Sequence, residues 1–124
     1  MRKRILVIDD TLDALEIAKA YLEDEFDVAV AHDGKEGVER ALEFKPHLIM
    51  TDLMMQTMHG YQVCEKVRAE PTLSETRILV VSSKAFQNDK DLAKQAGADS
   101  YLVKPYLRKD LFEKIGELLG PDAS

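Results

Sequence analysis

The chain has 124 residues, 45% of them hydrophobic and 32% charged, with 23 acids against 17 bases and a formal net charge of −6. That length and balance give one globular domain with a core and exclude a disordered chain. The acid surplus argues against nucleic acid or an anionic membrane as a direct partner, and no apolar run approaches the roughly 20 residues of a membrane span.

The single cysteine, Cys64, excludes an internal disulfide framework and suits a reducing cytoplasm. The first apolar stretch, Ile5-Leu6-Val7-Ile8, ends at Asp9-Asp10 and is too short for the apolar region of a signal peptide, roughly 7–15 residues. The same β-branched run fits a strand buried on both faces. From Thr11 to Asp24, Leu12, Leu15, Ala18 and Leu22 recur at helical spacing, broadened by Ile17 and Tyr21. Phe26 to Ala31 predicts a second strand. Asp33 followed by Glu36 reads as an N-cap with its reciprocal acid. That helix runs to Phe44 and stops before Pro46, which disfavours helical geometry at Lys45.

His47 to Asp52 predicts a third strand ending in an acid, Leu53 to His59 a loop, and Gly60 to Ala69 a helix with Pro71 beyond it. Ile78 to Val81 predicts a fourth buried strand ending in Ser82-Ser83. Lys84 to Ala96 predicts a helix, and Gly97 fits the left-handed residue after its end. Ser100 to Val103 predicts a short fifth strand before Lys104-Pro105. Leu107 to Leu119 predicts the last helix, striped by Leu111, Ile115, Leu118 and Leu119. Five strands alternating with five helices call for a parallel sheet covered on both faces, because each parallel crossover needs a long connection. A closed eight-fold barrel would need more units.

Open parallel sheets bind ligands beyond the carboxyl ends of their strands. Here those ends carry Asp9 and Asp10, Asp52, Ser82 and Lys104. If the first and third strands are neighbours, three carboxylates converge and repel one another unless a cation neutralises them. A hard divalent ion such as Mg²⁺ takes one or two carboxylates together with waters and phosphate oxygens.

At these residues the chain resembles the receiver domain of two-component response regulators. The resemblance runs from Ile5 to about Leu119. It is carried by Val7-Ile8-Asp9-Asp10, Asp52-Leu53-Met54-Met55, Gly60, Val80-Val81-Ser82-Ser83-Lys84 and Tyr101-Leu102-Val103-Lys104-Pro105. It implies a three-layer, doubly wound α/β fold of flavodoxin-like (βα)5 type with strand order 2-1-3-4-5. A single receiver domain is expected over residues 1–120, with 121–124 as a short tail.

The resemblance also implies roles. Asp52 is the phosphoacceptor, attacking the phosphorus of a partner's phosphohistidine. Asp10, Asp52 and the Met54 main-chain carbonyl hold Mg²⁺ (or Mn²⁺), and Asp9 holds it through water. Lys104, Ser82 and the Ser83 backbone N–H bind the phosphoryl oxygens. Ser82 and Tyr101 form the switch that changes the surface of the fourth helix, fifth strand and fifth helix. The Lys104-Pro105 bond is expected to be cis. Thr11, Leu12, Asp13, Ala14, Ile17, Pro105 and Tyr106 occupy the docking positions for the phosphodonor, a sensor histidine kinase or a histidine phosphotransfer protein. The expected setting is a cytoplasmic monomer or weak phosphorylation-dependent dimer. It acts on a downstream protein, touches neither nucleic acid nor membrane, and catalyses only its own phosphorylation and dephosphorylation.

The loop Asp52-Leu53-Met54-Met55-Gln56-Thr57-Met58-His59-Gly60 departs from the family pattern. Gln56 replaces a proline and so removes a φ restraint, and His59 replaces an acid or amide where the third helix begins, weakening that cap. His32, His47 and His59 lack metal-ligand spacing. Arg2-Lys3-Arg4 reads as a solvated strand start, and Cys64 as a buried small hydrophobe. Two other functions stand beside the leading one: a phosphorylation-independent interaction module with a vestigial site, and a stand-alone Mg²⁺-dependent phosphohydrolase.

Overall fold

Alternating apolar runs and amphipathic stretches become five βα units. The structure, a computed structural model, describes residues 2–56 and 58–120, so the expected tail at 121–124 lies outside the described residues. The elements are β1 (Arg4–Ile8), α1 (Leu12–Leu22), β2 (Asp27–Ala31), α2 (Gly34–Phe44), β3 (Leu48–Asp52), α3 (Gly60–Arg68), β4 (Arg77–Ser82), α4 (Gln87–Ala96), β5 (Ser100–Val103) and α5 (Arg108–Leu119). The strands form one parallel sheet in the order β2-β1-β3-β4-β5, which is the doubly wound, flavodoxin-like arrangement.

Both faces of the sheet are dry, which is why its central strands read as continuous apolar runs. Side chains alternate between two cores. Ile5, Val7, Leu48, Met50, Leu79 and Val81 pack against Leu15, Ala18 and Leu22 of α1 and Leu111 and Ile115 of α5. Leu6, Ile8, Ile49, Ile78 and Val80 pack against Ala41 of α2, Val63, Cys64 and Val67 of α3 and Ala93 of α4.

Three local expectations are revised, and one short element is added. Phe26 is not a strand residue: its N–H donates to the Leu22 carbonyl at 2.9 Å, closing the turn after α1, and its ring is buried against Phe112. Asp33 caps α2 as expected, accepting from the Glu36 N–H at 2.8 Å, but the Glu36 carboxylate accepts from the His32 N–H rather than from the cap residue. That bond, ahead of a smaller opposing effect of burial, holds the Glu36 carboxyl below its ordinary range. A short 3-10 turn, Pro71–Leu73, follows α3 and buries Leu73. The fourth helix opens at Gln87 rather than at Lys84, because both backbone groups of Lys84 are engaged elsewhere.

Helix ends otherwise follow the sequence. Gly97 ends α4 at φ 115°, with the Arg68 side chain standing 2.6 Å from where a Cβ would lie. Lys45 leaves α2 in the left-handed region at φ 50°, and not in the right-handed helical geometry that Pro46 disfavours.

Candidate functional site

Strand register sets the site. Ile8 pairs with Thr51, Asp52 with Val81, and Ser82 with Val103, so Asp9 and Asp52 stand level at the carboxyl edge of the sheet, with Ser82 one residue further along and Ser83 and Lys104 two. The two-residue alternation sorts them further. Asp9 continues the face of Ile5 and Val7, Asp52 that of Leu48 and Met50, and Lys104 that of Leu102, all on the side of α1 and α5. Ser82 continues the opposite face, that of Ile78 and Val80, and Tyr101 packs on the same side.

Asp9 is only 4% exposed. One of its oxygens accepts from the Thr11 N–H at 2.9 Å, and the other meets the Lys104 ammonium at 2.8 Å. Lys104 Nζ also lies 3.6 Å from Asp52 Oδ1. Burial pushes the Asp52 carboxyl above its ordinary range; the Lys104 charge opposes this and the Asp9 charge adds to it. Asp9, Asp10 and Asp52 each offer an oxygen within 4.8 Å of the others, with Asp10 the exposed member. Three carboxylates face one ammonium, an excess of two negative charges, and hard oxygen donors at this separation fit a divalent cation.

Ser82 is buried, and its Oγ accepts from the Lys84 N–H at 3.2 Å. Tyr101 Oη donates to the Lys84 carbonyl at 2.8 Å. These two bonds occupy Lys84, and Phe86 behind it is extended, so α4 starts at Gln87. Burial raises the Tyr101 hydroxyl above its ordinary range, while the nearby Ser82 hydroxyl pulls it down. The Lys104-Pro105 bond is cis, and the Lys104 N–H donates to the Ser82 carbonyl at 2.8 Å.

The β3–α3 loop folds back at Gly60, whose N–H donates to the Leu53 carbonyl at 2.9 Å. A Cβ there would sit 2.4 Å from the Asp52 carbonyl oxygen and 2.9 Å from Leu53 Cα, so only glycine fits. Met54 lies exposed on this loop and Met55 is buried beneath it. His59 makes no side-chain cap. Its N–H instead donates to Gln62 Oε1 at 3.0 Å, so the helix start is supported from its third residue.

A cavity of about 450 Å³ opens on the α1 side and joins Asp9, Asp52, Ser83 and Lys104 to Ala14, Ile17, Pro105 and Tyr106. Four of the seven expected docking residues therefore share one space with the acidic cluster. Thr11, Leu12 and Asp13 stand exposed at the start of α1, outside its lining. Ser82 does not line it either. Ala18 and Tyr21 do, although the sequence marks them only as members of the α1 stripe; their spacing from Ala14 and Ile17 is the signal that places them there. Tyr106 packs edge-on against Tyr21 at 6.0 Å, and burial pushes its hydroxyl up to about 12.

The sequence matches the family described as the response regulator receiver domain over residues 5–116. The chain belongs to that family. It is a signalling domain of two-component systems. This receiver is 36% identical over 116 residues to the DNA-binding response regulator MtrA of Mycobacterium tuberculosis, covering 93% of this chain and 50% of the relative. It is 32% identical over 120 residues to the alkaline phosphatase synthesis transcriptional regulatory protein PhoP of Bacillus subtilis, covering 96% and 49%. The receiver thus spans about half the length of these relatives. Its fold superposes on a CheY-like receiver domain protein of Methanospirillum hungatei with a TM-score of 0.88 at 30% identity, covering 96% of this chain and 94% of that one. It also superposes on the receiver domain of a sensor histidine kinase of Pseudomonas aeruginosa, solved with a magnesium ion coordinated in its active-site cleft. That TM-score is 0.89 at 25% identity, covering 97% and 99%. Among the described residues of the receiver, no helix is long and apolar enough to cross a membrane.

Proposed function

We propose that this receiver accepts a phosphoryl group on Asp52 from a phosphohistidine of a sensor histidine kinase or histidine phosphotransfer protein. The observation that carries the reading is the meeting of Asp9, Asp10 and Asp52 within 4.8 Å, with the Lys104 ammonium set between Asp9 and Asp52. An Asp52 oxygen forms a bond to phosphorus as the bond from phosphorus to the donor imidazole breaks. The products are an acyl phosphate on Asp52 and a neutral donor histidine. Water later cleaves the acyl phosphate to inorganic phosphate and the free carboxylate.

Phosphoryl transfer asks the protein mainly for position and charge neutralisation. Lys104 supplies a compact positive charge beside the acceptor. The Ser82 hydroxyl and the Ser83 N–H, from the adjoining strand end, take phosphoryl oxygens. Asp10, Asp52 and the Met54 carbonyl would hold Mg²⁺ or Mn²⁺, with Asp9 reaching it through water. When bound, the ion neutralises phosphoryl charge that Lys104 alone leaves uncompensated. A Pseudomonas relative of the same fold with magnesium in its cleft supports this assignment.

The switch follows from the same bonds. A phosphoryl group draws Ser82 Oγ away from the Lys84 N–H, and Tyr101, which holds the other side of Lys84, moves with it. The surface of α4, β5 and α5 carries that change to a downstream protein. The donor docks over the cavity formed by Ala14, Ile17, Pro105 and Tyr106, with Thr11, Leu12 and Asp13 beside it. The receiver is read as one domain over residues 1–120 with a short tail. It is cytoplasmic, and a monomer or a weak phosphorylation-dependent dimer. DNA binding, stated for the MtrA relatives, is not assigned to this chain.

Intact-mass measurement after incubation with acetyl phosphate and Mg²⁺ tests the reading. One added phosphoryl mass on the wild-type chain and none on Asp52→Asn is the expected result. Labelling of Asp52→Asn at the wild-type level overturns it. Partner binding unchanged by phosphorylation would instead favour the interaction module with a vestigial site.

A further inference from the structure

A second cavity of about 450 Å³ lies at the opposite edge of the sheet, beside the amino ends of β1, β3 and β4. Its lining gathers Lys3, Arg4, Lys45, His47 and Arg77, and Glu75 is the one acid among the described lining residues. This is a concentrated positive site on a chain whose net charge is −6.

Two of these groups, Arg4 and His47, are held in place by hydrogen bonds. Arg4 donates from Nε and Nη2 to the Phe44 and Lys45 carbonyls at 2.8–3.1 Å, which fixes its guanidinium at the end of α2. His47 Nδ1 accepts from the Arg4 N–H at 2.9 Å. The neutral ring therefore carries its proton on Nε2, which makes that nitrogen a donor. Arg77 keeps only a long contact, 3.7 Å, to Asp99, and Lys3 and Lys45 form no ion pair among the described residues.

Lys45 is also held at φ 50°, where glycine is the residue that fits without strain. Burial, then the charges of Arg4 and Lys3, depress protonation of His47, which keeps the ring neutral while Lys3, Arg4, Lys45 and Arg77 supply the positive charge. Leu118 and Leu119 add an apolar wall, and the volume is that of a small-molecule pocket.

We propose that this cavity is a second anion site, independent of Asp52, that takes a di- or triphosphate group: free pyrophosphate or the phosphate chain of a nucleotide. The cations come from three separate segments, the start of β1, the turn after α2 and the start of β4, a spread that matches a multivalent anion better than a single phosphate. The concave shape and the acidic remainder of the surface favour a small ligand over a nucleic acid.

The test follows the His47 ring resonances by NMR while the full chain is titrated in Mg²⁺-free buffer. Pyrophosphate, ATP and inorganic phosphate are compared at ionic strength matched with sodium chloride. Pyrophosphate or ATP is expected to give a saturable shift and to raise the midpoint of His47 protonation, with inorganic phosphate weaker. Tighter binding of ATP assigns the nucleotide, and equal binding assigns the free diphosphate. Lys45→Gly should relieve the left-handed strain and melt no lower than wild type, yet bind roughly tenfold more weakly through loss of a charged contact. Resonances that follow ionic strength alone, or unchanged affinity in a folded Lys45→Gly, overturn the proposal.

Discussion

The Tyr101 hydroxyl donates to the Lys84 carbonyl at 2.8 Å, and Ser82 Oγ holds the N–H of the same residue at 3.2 Å. Strand pairing makes this possible. Val80 lies opposite Tyr101 and Ser82 opposite Val103, so Ser82 and Tyr101 emerge on one face two residues apart and close on Lys84 together. The start of α4 is thereby tied both to the hydroxyl at the end of β4 and to the aromatic of β5.

Tyr101→Phe removes one of those ties and leaves the ring. A loss of about 0.5–1.5 kcal/mol in denaturant unfolding is expected, the usual range for one hydrogen bond. Hydrogen exchange should speed up in the segment from Lys84 to Phe86, and phosphorylation should still occur. Unchanged exchange there would show that the bond does not hold the segment.

Asp52→Asn should raise stability at neutral pH in Mg²⁺-free buffer. The Asp52 carboxyl titrates above its ordinary value of 3.8, chiefly through burial. A carboxyl whose pKa is higher folded than unfolded binds its proton more tightly in the fold, so its ionisation opposes folding. Its favourable contribution is complete below the ordinary value and is lost as pH rises through the folded pKa. The advantage of the variant should therefore be present at pH 7 and vanish in acid. Thermal melts across that range measure it, and a variant less stable than wild type at pH 7 would contradict the sign.

Mg²⁺ should raise the melting temperature by linkage, about 2.7 kcal/mol at a hundredfold excess over its dissociation constant, and chelation should reverse the effect. Asp10 is the exposed member of the carboxylate cluster, so Asp10→Asn should fold normally and lose most of that response. Melts of both chains with Mg²⁺ and with a chelator compare the two.

Gly60→Ala places a methyl group 2.4 Å from the Asp52 carbonyl oxygen, a backbone atom that has no rotamer to yield. The cost should be about 1–3 kcal/mol, as for other overpacked sites. On the proposed function, acetyl phosphate labelling should slow as well, because the strain falls on the backbone of Asp52 itself. Unfolding and labelling rates are read on the same preparation.

Cys64 is fully buried and its thiol is pushed up to about 12, mainly by burial. Alkylation at pH 8 should be slow in the native chain and follow unfolding when denaturant is added. Prompt native-state reaction would contradict the packing.

The sheet, its five units and the polar strand ends are legible because buried parallel strands write themselves as apolar runs closed by polar residues. The acidic cluster, Ser82 and Lys104 sit at those closures, so order along the chain is enough to find them. The start of α4 is not legible. The stretch from Lys84 to Phe86 has helix-compatible residues, and only the tertiary bonds to Lys84 keep it out of the helix. Phe26 misleads for a related reason, since a β-favouring aromatic is used as a plug beneath a turn. The separation of Ser82 from Ser83 onto opposite faces is implicit in a period of two. It gains meaning only once the cavity is seen on one side and Tyr101 on the other.

The ion pair between Asp9 and Lys104 spans 95 positions of the chain. A chain that has emerged only as far as β4 already contains Asp52 and its two acidic neighbours, Asp9 and Asp10. It lacks the ammonium that makes their proximity tolerable. Contacts of such long sequence separation carry the larger loop-closure cost. The charge balance of the acidic cluster is therefore complete only once β5 has joined the sheet and brought Lys104 to Asp9.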